Sequence, residues 1–210
     1  MKTITVKTKE KIFPFIAYVP ENISDKPALL IQLHGAGERG NGENVEKVLI
    51  HGFANTVNDD NLKDCILIMP QCPVESAWLY KIESIKKFID LMIEEFSADK
   101  DRIYLCGLSM GGYGTWNTAM AYPDMFAAIS PCCGGAMPWN AHVIKDLPIW
   151  AFHGLSDNVV LPSNTQDMVN ALKGINPDLK YTFYEGVGHD SWVSAFTEPT
   201  LEWLLSHEKK

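Results

Sequence analysis

Ser109, Asp157 and His189 are the residue types that nucleophilic acyl transfer needs, and each stands just beyond a short apolar run. The serine lies in Gly107-Leu108-Ser109-Met110-Gly111, a G-x-S-x-G pentapeptide. With ordinary Gly and Ser usage that pattern arises by chance in roughly one chain of this length in twenty, so its flanks decide its meaning. Before it runs the β-rich segment Arg102-Ile103-Tyr104-Leu105-Cys106. After it runs Gly112–Tyr122, a helical stretch stopped by Pro123. Strand, sharp turn and helix with serine at the apex hold the hydroxyl exposed above a sheet. Gly107 and Gly111 permit the crowding because they lack a Cβ.

A serine hydroxyl is a weak nucleophile at neutral pH and needs an imidazole to take its proton. His189 follows Gly186-Val187-Gly188 after the apolar run Tyr181–Tyr184 and can supply it. An acid must then hold the other ring nitrogen and stabilise the imidazolium. Asp157, in His153-Gly154-Leu155-Ser156-Asp157 after the run Ile149–Phe152, is the candidate. Asp190 adjoins His189 and cannot easily reach back to its neighbour's ring, and Asp167 falls inside an expected helix. His153 reads as a structural histidine bonding backbone at a strand end. The oxyanion calls for two backbone N–H groups. Met110 supplies one and the loop His34-Gly35-Ala36-Gly37-Glu38-Arg39-Gly40 the other, from Ala36 first and Gly37 second.

These residues need a scaffold that delivers them from strand ends. The runs Ala28–Leu33, Ile66–Met69, Ile103–Cys106, Phe126–Ile129, Ile149–Phe152 and Tyr181–Tyr184 are continuous rather than alternating, as in parallel strands covered on both faces. Two further strands, Thr3–Lys7 and Ile12–Val19, precede them. Ile82, Ile85, Phe88, Ile89, Met92, Ile93 and Phe96 form one stripe at helical spacing, with Lys86, Lys87, Glu94 and Glu95 opposite. Thr165–Leu172 and Leu201–Ser206 are further helices. Alternating strands and helices imply an α/β class with a mostly parallel, doubly wound sheet, whose sites lie at the carboxyl ends of the strands. The 210 residues suit one domain over 1–210.

Composition narrows the partners. A formal net charge of −8, without a Lys/Arg-rich tract, argues against a nucleic-acid partner. No apolar run is long enough to span a membrane. Residues 1–10 show no signal-peptide core, so the expected location is cytoplasmic; a chain relieved of an export signal would begin alike. Five cysteines, Cys65, Cys72, Cys106, Cys132 and Cys133, lack a staple-like spacing and read as buried free thiols of a reducing compartment. The histidines are scattered, with neither H-E-x-x-H nor Cys-x-x-Cys, so no metal is expected. Phosphate-loop and dinucleotide fingerprints are missing too, and no cofactor is expected.

With Leu33–Gly40, Asp101–Trp116, His153-Gly154 with Asp157, and Gly188–Trp192 in hand, the chain resembles the α/β-hydrolase superfamily. Within it the closest resemblance is to compact serine esterases: phospholipase/carboxylesterase, dienelactone-hydrolase-like and feruloyl or acetyl-xylan esterase relatives, often labelled predicted peptidases. That resemblance implies the α/β-hydrolase fold and ester hydrolysis through an acyl-serine. Dienelactone hydrolases proper use cysteine where this chain has Ser109, and prolyl-oligopeptidase relatives usually add a propeller. A small serine peptidase or amidase, and a catalytically silent binding module, are the competing readings. Lids of this fold usually follow the strand after the nucleophile helix. Pro131–Pro148 is too short for a helical cap, which implies a compact enzyme with an open cleft. Trp78, Trp139 and Trp192 are the candidate walls, suited to an aromatic acyl group or a sugar ring. The expected substrates are short-chain or aromatic esters, small or polysaccharide-linked; the oligomeric state is not legible.

Overall fold

The computed structural model describes residues 1–7 and 12–209. Eight strands form one sheet in the order β1-β2-β4-β3-β5-β6-β7-β8. They are β1 (Lys2–Val6), β2 (Phe15–Val19), β3 (Ala28–Leu33), β4 (Cys65–Pro70), β5 (Ile103–Leu108), β6 (Ala128–Cys132), β7 (Ile149–Gly154) and β8 (Leu179–Tyr184). β1, β2 and β4 pair antiparallel; every other neighbouring pair is parallel. This is the mostly parallel α/β sheet that the apolar runs imply.

Strands β3, β4, β5 and β6 are buried along their whole length because both faces are covered. Leu29, Ile31, Ile103 and Leu105 point to one core with Phe88, Met92, Trp116 and Met168, which come from helices Ile82–Glu95, Met110–Ala121 and Ser163–Leu172. Leu30, Leu67, Tyr104 and Cys106 point the other way, against Val48, Phe53, Leu201 and Leu204. The period-two side-chain alternation of a strand sorts neighbours such as Leu29 and Leu30 into separate cores. The outermost strands β1 and β8 are half open to solvent.

Boundaries move where proline or local capping intervenes. The expected strand over Ile12–Val19 begins only at Phe15, beyond Pro14. The expected Phe126–Ile129 strand runs instead over Ala128–Cys132 and contains Pro131, a residue that reads as a strand breaker because it lacks an N–H. Its ladder to β7 registers at Ile129 and Cys132, on either side of Pro131. Residues 131–148 hold no helical cap, only the 3₁₀ segment Pro138–Ile144, which packs against helix Ser163–Leu172. Among the described residues no helix is long and apolar enough to cross a membrane.

The chain order reverses between β3 and β5. β4 lies to one side of β3 and β5 to the other, with Leu33 paired to Gly107 at their carboxyl ends. Loops leaving adjacent strands in opposite directions open a crevice at such a switch point. The loops after β3 and β5 flank this one.

Candidate active site

Ser109 sits where β5 becomes helix Met110–Ala121, with φ +54° and ψ −118°. Such a conformation is costly for a residue with a Cβ and persists only where its surroundings hold it. The Ser109 N–H donates to the Cys132 carbonyl at 3.0 Å, fixing the turn to β6. Gly111 is packed so that a Cβ there would stand 1.9 Å from the Leu33 carbonyl oxygen. The elbow thus depends on direct backbone contact with β3.

Ser109 Oγ lies 2.9 Å from His189 Nε2, and His189 Nδ1 lies 2.7 Å from Asp157 Oδ2. The two loops that carry His189 and Asp157 are tied together. Ser156 N–H donates to the Val187 carbonyl, and a Cβ on Gly154 would fall 2.3 Å from the Gly188 carbonyl oxygen. The Asp157 side chain is fully buried. Its Oδ1 accepts the N–H groups of Val159 and Val160, each at 2.9 Å. Burial pushes its carboxyl up, but the His189 bond and those two N–H groups outweigh it and hold the group below the usual carboxylate range. An ionised acid that accepts from Nδ1–H leaves Nε2 free to take the hydroxyl proton, the arrangement a general base needs.

Met110 and Ala36 stand at the first positions of their helical turns, where a backbone N–H has no partner within the turn. The Ala36 turn is held from beneath. His34 is buried, with Nε2 accepting the Cys72 N–H at 2.9 Å and Nδ1 donating to the Gly35 carbonyl at 2.6 Å. Arg39 Nε–H donates to the Ala36 carbonyl. Trp78 is wholly buried, and its Nε1–H donates to the His34 carbonyl at 3.0 Å. It therefore supports the loop and cannot wall a cleft, contrary to its expected role. A three-residue turn carrying a charged loop needs a large anchor below it, and the indole fills that space.

Burial lowers the His34 imidazole from 6.5 to about 4. An unfolded chain takes up a proton at this ring below about 6.5, whereas the folded chain does not until about 4. Stability is thus full above pH 6.5 and falls as the pH drops toward 4, by about 3 kcal/mol from this group alone. Urea midpoints at pH 7.5 and pH 4.5 should differ accordingly, and His34→Gln should flatten that difference.

Trp139 and Trp192 are placed differently from Trp78. Trp139 lies on the Pro138–Ile144 segment and is 76% exposed. Trp192 is half-buried, its ring edge-on to His189 at 5.2 Å between centroids and tilted against His51 at 5.3 Å. His51 also approaches Glu38, Nε2 to Oε1 at 3.9 Å. Glu38 is buried, and its Oε2 has no hydrogen-bond partner among the described residues. Neither Glu38 nor His51 stands out in the sequence, since both occur in loops where charge normally meets water. His153 lies under the acid loop, with its ring nitrogens on Thr165 Oγ1 and the Val160 carbonyl, as a structural histidine would.

One set of metal-ligand types occurs among the described residues: atoms of Cys133, Asp157 and His189 fall within 4.8 Å of one another. The Asp157 oxygens are already engaged by two N–H groups and by His189, so a cation there would compete with the relay itself.

Residues 75–199 match the phospholipase/carboxylesterase family model. The chain belongs to that family. It is 27% identical over 161 residues to the bifunctional acetylxylan esterase/xylanase XynS20E of Neocallimastix patriciarum, covering 74% of this chain and 22% of that protein. It is 44% identical over 154 residues to poly(3-hydroxyalkanoate) depolymerase C of Paucimonas lemoignei, covering 57% of this chain and 37% of that protein. The chain therefore spans well under half the length of either relative. In three dimensions it is similar to a thermostable esterase, with TM-score 0.82, 33% identity, and coverage of 99% of this chain and 63% of that one.

Proposed function

We propose that this phospholipase/carboxylesterase family member is a serine carboxylesterase that works through an acyl-serine intermediate, with Ser109 as nucleophile, His189 as general base and acid, and Asp157 as the orienting acid. The hydrogen-bonded relay of 2.9 Å and 2.7 Å, at the carboxyl edge of the sheet, carries this reading. Ser109 Oγ attacks the ester carbonyl while His189 Nε2 takes its proton. The N–H groups of Met110 and Ala36 receive the oxyanion. The tetrahedral adduct collapses, and the alcohol leaves with the proton from His189. Water, deprotonated by the same ring, then attacks the acyl-serine; the acid is released and Ser109 regains its proton.

The substrates proposed are short-chain or aromatic esters, either small or attached to polysaccharide. No helical cap covers the site among the described residues, so a long acyl chain has little apolar surface to enter, and each CH₂ left in water forgoes about 0.8 kcal/mol. The names of the acetylxylan esterase and of the polyester depolymerase fit an open cleft that admits polymer-linked esters. Trp192 beside His189 and the exposed Trp139 are the aromatic faces proposed for an acyl ring. Residues 1–210 are proposed to work as one domain, and all five cysteines, buried and unbridged, suit a reducing, cytoplasmic setting.

Labelling by a fluorophosphonate, followed by a panel of acetyl, butyryl, palmitoyl and feruloyl esters with matched amides, tests the proposal. Labelling should vanish in Ser109→Ala, and acetyl, butyryl or feruloyl esters should outrun palmitoyl esters and all amides. Faster amide cleavage would favour a peptidase. Trp192→Ala and Trp139→Ala should lower kcat/KM for aromatic esters more than for acetyl esters, roughly three- to tenfold, as loss of one ring contact implies. Equal effects on both classes would remove the tryptophans from the acyl site.

A further inference from the structure

His34 and His153 are both buried, yet their partners differ in kind. His34 has one N–H to accept from and one carbonyl to donate to, so a neutral ring satisfies both contacts. His153 has no N–H group to accept from among the contacts described. Its Nε2 lies 2.9 Å from the Val160 carbonyl oxygen and 3.2 Å from Asp157 Oδ2, two groups that only accept. Its Nδ1 lies 2.7 Å from Thr165 Oγ1, which lies at the same distance from the Gly134 carbonyl oxygen and has a single proton to share between the two. Thr165 is itself fully buried.

The protons around this ring can be counted. With a proton on Nε2 alone, Nδ1 must take the threonine proton, and two bare oxygens, Thr165 Oγ1 and Gly134 O, are left facing each other. With a proton on Nδ1 alone, the Nε2 lone pair faces two oxygens. Each neutral form thus leaves an unfavourable buried contact between acceptors, which costs about as much as a lost buried hydrogen bond. A ring carrying both protons satisfies every contact.

We infer that His153 is an imidazolium at neutral pH and a positioning residue for Asp157, whose carboxylate is clamped between two histidines. The inference goes beyond the esterase reading and rests on it only for its kinetic readout. Burial, the largest influence, and the neighbouring His189 push the His153 imidazole down, the Val160 carbonyl and Asp157 push it up, and the balance falls below the usual histidine range. The proton count around the ring favours the charged form against that balance. Asp157 and His189 are the titratable groups that act on it. A hydrogen-bonded counter-ion buried beside a charge offsets part of the desolvation that disfavours it. In this arrangement His153 holds Oδ2 in line with His189 Nδ1. Its charge also offsets part of the Asp157 field, so that His189 gives up its proton more readily.

Two measurements decide the point. Long-range ¹⁵N–¹H correlation spectra of the wild-type protein should show both His153 nitrogens protonated at pH 7, whether or not the protein hydrolyses esters. A ring with one protonated nitrogen would overturn the inference. In kinetics, His153→Gln should raise the apparent pKa of the kcat/KM profile by about one unit, because Asp157 would then act on His189 without an opposing charge. A structural role alone would lower the plateau and leave that pKa in place, and this result in a folded variant would also overturn the inference. Thermal melts establish folding. The nearly isosteric Thr165→Val removes the acceptor for Nδ1–H and should shift the profile in the same direction even if His153→Gln fails to fold.

Discussion

Replacing Ser109 by alanine should lower kcat for a simple acetyl ester by about 10⁴-fold or more, with the melting transition unchanged. The size follows from the way relay members act together: without the nucleophile, the base and acid have nothing to activate, and only binding and oxyanion stabilisation remain. The fold should tolerate the change because the hydroxyl bonds to His189 alone among the contacts described, while the turn is held by the Ser109 N–H on Cys132 and by Gly111 against β3. His189→Ala should behave alike. Asp157→Asn should cost somewhat less, since the His189 loop still places the ring, and its effect should exceed that of Asp190→Asn. If Ser109→Ala retained more than about a tenth of wild-type kcat on clean protein, the nucleophile would have to lie elsewhere. A larger loss from Asp190→Asn would displace Asp157 as the acid.

The second large effect concerns stability. Gly111→Ala should destabilise the protein by about 3 kcal/mol or more, at the upper end of what overpacking costs. The new Cβ would stand 1.9 Å from the Leu33 carbonyl oxygen and 2.9 Å from that of His34, and backbone cannot swing aside as a flexible side chain can. Relief requires β3 and the nucleophile helix to separate, which moves the Ala36 turn away from Ser109. Stability and activity should therefore fall together, read from urea midpoints and from kcat at a temperature where the variant is folded. A change below 1 kcal/mol with full activity would show that the elbow can relax, and the close contact would lose its proposed importance. Gly174, with open space around its missing Cβ, offers a control for side-chain crowding, although its positive φ adds a backbone cost of its own.

Much of the scaffold is written locally. Continuous branched runs mark β3, β4, β5 and β7 because strands buried on both faces carry no polar alternation, and a stripe at helical spacing marks Ile82–Glu95 because that helix buries one side only. The serine between two glycines, and the order serine, aspartate, histidine after β5, β7 and β8, are likewise readable, since a strand end and a tight turn have short-range signatures. What the sequence determines by itself is thus which residues can do chemistry and from which strand ends they are offered.

Tertiary structure decides which of them meet and what surrounds them. Trp78, Trp139 and Trp192 are alike as letters, yet one is sealed under His34, one is open to solvent, and one leans on His189. Loop tryptophans carry no periodicity, so nothing local sorts the anchor from the rim. Pro131 marks a strand break in sequence but sits inside β6, because its neighbours at Ile129 and Cys132 keep the register to β7. His153, Thr165 and Asp157 come together from a strand, a helix and a loop, and the proton count that distinguishes His153 from His34 exists only once that packing has formed. Spacing along a chain can predict a face or a turn, but hydrogen-bond complementarity between distant segments is a property of the folded interior alone.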